Sequence, residues 1–157
     1  MNSKFKILTF ILLILGQIVM HRYIYQLNVT LDLLYLVLVY ISVKSGFFKS
    51  ILSATVIGLI TDYLSGGVLG VFGFSRTISA FLLNEMSMRI DLKSNFFVFL
   101  LISISLMLSN LIANLFFYFI QGQYLQVNLI LIQPFLTGLI GILIVSTSKS
   151  KKYLDVY

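Results

Sequence analysis

An aspartate, Asp62, stands near the end of the apolar run Ile51–Leu64, is followed by Gly66, Gly67 and Gly70, and precedes an arginine, Arg76, inside the next apolar run. In such surroundings a carboxylate and a guanidinium can pass a proton, line an ion path, or bind one another as a buried pair. Other reactive groups are scarce. The chain has no cysteine and one histidine, His21, which excludes thiol chemistry, disulfides and cysteine-ligated metals and makes a histidine metal site implausible. No two carboxylates have a spacing that argues for an acid/base pair. Asp32 and Glu85 read as groups near span ends, solvated or paired by snorkelling with the Lys44 and Arg89 sides respectively. The glycine-rich "GGVLGVFG" lacks the strand, lysine and hydroxyl of a phosphate-binding loop. The residues therefore predict no catalytic site, no cofactor and no metal. For Asp62 they favour a fastening role, with Arg76 as its partner across a turn made by Gly66, Gly67 and Gly70.

The positioning of Asp62 follows from a four-residue spacing. Gly46, Ser50, Ala54, Gly58, Asp62, Gly66 and Gly70 recur at every fourth position, and through the third apolar run this makes one narrow helix face of small side chains. In lipid, where helix pairing brings no hydrophobic gain, close van der Waals contact along such a face is a main source of association. The spacing leaves three readings open: packing within the bundle, an interface with a partner protein, or a ligand site. Gly66-Gly67 reads as the turn of a tight helical hairpin.

The elements that carry these residues span a membrane. Of the 157 residues, 59% are hydrophobic and 10% charged, and the mean hydropathy is +1.04, far outside the balance of a soluble domain. A helical span needs about 20 mostly apolar residues. The apolar runs predict an all-α integral membrane protein, one domain over 1–157, with spans at about 5–22, 29–45, 49–64, 68–87, 96–120 and 127–147. The first follows Lys4 and Lys6 like a signal peptide but lacks a small-x-small cleavage site before "HRYIY", so it is read as a retained span. The second run, Leu31–Val43, has 13 residues, about 20 Å of helix; it must extend into its flanks, thin the bilayer or pack inside the bundle.

The net charge of +6 forms no stripe or tail that would suit nucleic acid. Nine of the eleven basic residues, Lys4, Lys6, Lys44, Lys49, Arg89, Lys93, Lys149, Lys151 and Lys152, fall at the termini or at alternate connections. The bias of basic residues toward the cytoplasm then predicts six spans with both termini cytoplasmic. Asn110, Asn114, Ser103 and Ser109 in the fifth run are candidates for hydrogen bonds between helices. Gln133-Pro134 is expected to bend or break the sixth, where Gly138 and Gly141 allow close packing. His21, with Arg22, Tyr23 and Tyr25, reads as an interfacial anchor.

From Gly46 to Met86 the sequence reads "GFFKSILSATVIGLITDYLSGGVLGVFGFSRTISAFLLNEM" and resembles the MreD family of bacterial rod shape-determining membrane proteins. The matching features are an aromatic pair after glycine, Gly58-Leu59-Ile60 followed by Asp62, and the glycines through Leu69-Gly70. The resemblance extends over essentially the whole chain. It implies a nonenzymatic component of the cell-elongation machinery in the inner membrane, surrounded by membrane lipid. Its implied direct partner is MreC, linked to MreB filaments and to RodA with its penicillin-binding transpeptidase. Gly58, Asp62, Gly66, Gly70 and Arg76 are then the candidate residues for helix packing or for a partner interface. The architecture is also similar to that of the S components of energy-coupling vitamin transporters, the alternative reading. Against it, the first span shows no alanine run and the outer connections offer few polar groups for a vitamin.

Overall fold

The computed structural model describes residues 15–16, 31–89, 94–122, 124 and 126–154, with side chains of the last helix as far as Leu143. These form five helices: α1 (Leu33–Lys44), α2 (Phe47–Ser65), α3 (Val71–Arg89), α4 (Asn95–Gln121) and α5 (Val127–Leu154). The described residues include no strand. The expected first span, 5–22, lies outside the described residues except for Leu15 and Gly16. Two helices, α2 and α4, are long and apolar enough to cross a membrane.

The helices start and stop where local chemistry dictates. At the N-cap of α1, the Asp32 carboxylate accepts the Tyr35 amide at 2.9 Å, and Lys44 sits in the last turn, where a cation complements the orphan carbonyls. Helix α2 ends on Gly66 at φ 65°, and Gly70 before α3 has φ 98°. Both angles lie in the left-handed region that glycine adopts without a Cβ penalty. Pro134 does not break its helix: α5 continues through it. Helix α4 also donates to two carbonyls of α5 in this stretch: Ser103 Oγ to Pro134 O at 3.3 Å, and Asn110 Nδ2 to Leu129 O at 2.6 Å.

The short helix is the centre of the bundle. α1 contacts all four other helices, while α2 packs on α3, α3 on α4 and α4 on α5. Leu34, Tyr35 and Leu38 of α1 are completely buried, against a core that includes Ala54 and Ile57 of α2, Ala80 and Leu83 of α3, and Leu101 and Leu106 of α4. With 12 residues, α1 is about 18 Å long, well short of the roughly 30 Å hydrocarbon layer. Its Asp32 end is accordingly inside the protein, where Asp32 is 4% exposed.

The tightest helix contact is between α2 and α3. A Cβ on Gly58 would stand 2.5 Å from Gly73 Cα and 2.6 Å from the Phe72 carbonyl oxygen. Both neighbours are backbone, which cannot swing aside. Gly58→Leu should therefore push the two helices apart and lower stability by about 3 kcal/mol or more. Leu59→Ala, at an exposed neighbour, should cost far less. Thermal unfolding midpoints of the purified variants check the ranking.

Candidate functional site: a capped hairpin and a buried ion pair

Asp62 lies three residues before the end of α2 and is 1% exposed. Its Oδ2 accepts the amides of Gly70 at 2.9 Å and Gly73 at 3.0 Å, and its Oδ1 accepts that of Phe72 at 2.8 Å. These are donors at the start of α3 that have no partner within their own helix. Asp62 thus caps α3 from the preceding helix, eight to eleven residues upstream, and its charge complements the positive end of the helix dipole. The carboxylate closes the hairpin onto itself. Ser65 reinforces the turn, donating to the Asp62 carbonyl at 3.1 Å while accepting the Gly67 amide at 3.4 Å.

With both its oxygens occupied by amides, Asp62 is not the mate of Arg76, and the expected Asp62–Arg76 pair is corrected to Asp32–Arg76. Arg76 Nη2 donates to Asp32 Oδ2, and both side chains are almost wholly buried. Asp32 is held on two further sides: Oδ1 by the Tyr35 amide, and its own amide by donation to Thr137 Oγ1 at 3.3 Å. The Arg76 guanidinium carbon lies 5.8 Å from the Tyr35 ring centroid and 5.7 Å from that of Phe72, inside cation–π range. One ionic knot therefore joins α1, α3 and α5. The reading of Asp32 as a solvated or snorkelling group fails because α1 is too short to carry it to the surface. Glu85 does stand at an exposed end, 3.6 Å from Arg89.

Several other buried polar groups also tie helix to helix. Asn110 Nδ2 donates to Gln133 Oε1 at 2.8 Å, and Asn114 Oδ1 accepts the Gln126 amide at 3.1 Å, tying α4 to α5 and its approach. Ser42 and Ser50 meet at 2.7 Å between α1 and α2, Thr55 and Thr77 at 2.9 Å between α2 and α3, and Ser75 and Ser109 at 3.3 Å between α3 and α4. Asn84 of α3 donates to the Ser42 carbonyl at 3.1 Å.

The small-residue row divides. Ser50, Ala54, Gly58 and Asp62 are buried within the chain, whereas Gly46 and Gly66 are exposed and Gly70 is half-buried. A Cβ at Gly66 or Gly70 would meet nothing within 4 Å. Among the described residues no group of three or more His, Cys, Asp or Glu side chains gathers as a metal site would require.

Helices alone among the described residues, two of them long and apolar enough to cross a membrane, with interior polar groups that bind helix to helix, are the make-up of a membrane protein. Comparison with known families specifies which: the model of the rod shape-determining protein MreD matches residues 2–147, and the chain belongs to that membrane protein family. No curated protein and no solved structure matches it.

The two carboxylates make separable predictions. Asp32→Asn and Arg76→Gln should each destabilise the purified protein by about 3 kcal/mol, since either leaves a buried charge unpaired. Together they should cost clearly less than the sum, whereas Asp62→Asn with Arg76→Gln should be additive within about 0.5 kcal/mol. Denaturant titration in detergent gives both cycles. Coupling of Arg76 to Asp62 and not to Asp32 would reverse the assignment.

Proposed function

We propose that this protein is a nonenzymatic component of the bacterial cell-elongation complex, binding MreC directly and linked through it to MreB, RodA and a penicillin-binding transpeptidase. It does so from the inner membrane as a bundle of six spans with both termini in the cytoplasm. The observation that carries this reading is the family match over residues 2–147. It is supported by the use of the buried polar groups as fastenings between helices. The family match gives no support to the vitamin-binding alternative.

The structure refines which surface is proposed to meet MreC. Gly58, Asp62 and Arg76 are engaged within the bundle, so their part in partner binding is to hold the α2–α3 hairpin in shape. Gly66 and Gly70 form its open tip. The outward stripe of α2 is Leu52, Val56, Leu59 and Tyr63, all exposed. Their spacing of four, three and four residues fits a helix-on-helix seam. The proposed interface is this stripe together with the glycine tip, set against the membrane helix of MreC or the segment beside it.

Leu52→Trp and Val56→Trp place bulk on the exposed stripe. Each should reduce copurification with tagged MreC at least fivefold while leaving the unfolding midpoint within about 2 °C, the shift expected of a neutral surface change. Full capture of MreC by both variants would remove the stripe from the interface. In the source bacterium, depletion of the protein should turn rods into spheres, with rescue by the wild-type chain.

A further inference from the structure

The turn between α1 and α2 gathers features that neither the packing nor the proposed complex uses. Only Ser45 and Gly46 separate the two helices, so Lys44, the last residue of α1, and Lys49, the third of α2, stand at the same end of the bundle. Both lysines are exposed. The ion pairs among the described residues are Arg76–Asp32 and Arg89–Glu85, which leaves Lys44 and Lys49 without a carboxylate partner there.

The lysines are set among aromatic rings. Lys44 Nζ donates to the Tyr40 hydroxyl at 2.9 Å and lies 4.5 Å from the centroid of that ring. Tyr40 is 60% exposed and Phe48, next to Lys49, is 77% exposed. A Cβ on Gly46 would meet nothing within 4 Å, so the turn between the lysines is open. Exposed ammonium groups with no carboxylate partner among the described residues, beside exposed rings at helix ends, match a ligand that is anionic at one end and apolar along the rest. A free inorganic anion would use the lysines but not the rings.

We infer that Lys44 and Lys49, with Tyr40 and Phe48, form a binding surface for an anionic phospholipid. Its headgroup lies at the open turn and its acyl chains lie along the rings. The surface is at the opposite end of the bundle from the Asp62 hairpin turn, so it can be occupied whether or not that tip is engaged.

The test uses the full-length protein in detergent, titrated with dioleoyl phosphatidylglycerol or dioleoyl phosphatidylcholine, with bound lipid counted by native mass spectrometry. A lysine close to an anionic headgroup contributes roughly a fivefold preference, so the pair should favour phosphatidylglycerol by about 25-fold. Lys44→Gln and Lys49→Gln should each lose about fivefold of that preference, and the Lys44→Arg/Lys49→Arg variant should keep it. Equal retention of the two lipids by the wild type would overturn the inference. So would an unchanged preference in both single glutamine variants, each of which keeps one lysine and should insert normally.

Discussion

A guanidinium cannot stay ionised and unpaired among apolar side chains, and the arrangement of the bundle follows from how that constraint is met at Arg76. The cost of an uncompensated buried charge is several kcal/mol after all relaxation, comparable with the whole stability of a small domain. Asp32 supplies the compensation, and it can do so because α1 is short. A helix of full membrane length in that place would carry its N-cap to the surface. A helix of 12 residues leaves it beside Arg76. The same carboxylate that neutralises the arginine also caps α1 through the Tyr35 amide. Charge balance and helix initiation are thus one interaction, and Thr137 of α5 is drawn into it.

The second carboxylate obeys the same rule with different partners. Asp62 faces no cation but three backbone amides at a helix start, where partial positive charge is concentrated. Two of those amides belong to glycines, and one, Gly70, needs a φ of 98° to present its N–H. The absence of a side chain at Gly58 lets α3 come close enough for these bonds to form. The glycines and the aspartate are therefore a single device for a tight hairpin. Its inward groups hold the bundle, and the outward residues of α2 are exposed.

Much of this was legible in the residues. The helical class and the hairpin turn at Gly66 followed from apolar run lengths and glycine chemistry, and the motif around Gly58 and Asp62 pointed to the family that the match over residues 2–147 identifies. The shortness of the run after Asp32 was also visible, and it was the signal that Asp32 is internal. What misled was proximity in sequence: Asp62 is 14 positions from Arg76 and Asp32 is 44, so the nearer acid looked like the mate. The bond lies between helices that are not consecutive, and no periodicity within one helix encodes which acid an arginine on another will meet.

By itself, then, the sequence determined the helical class and the hairpin turn at Gly66, because those depend on hydropathy and on the φ range open to glycine, both local properties. It also determined that Asp62 and Arg76, inside apolar runs, had to be satisfied, because desolvation applies to any buried charge wherever its partner lies. Only the tertiary structure decided who satisfies whom. Placing α1 at the centre brought Asp32 to Arg76, and the contact of Gly58 with Gly73 brought the amides of α3 to Asp62. Hydrogen bonding acts over about 3 Å, and only the packed arrangement of all five helices sets distances that small.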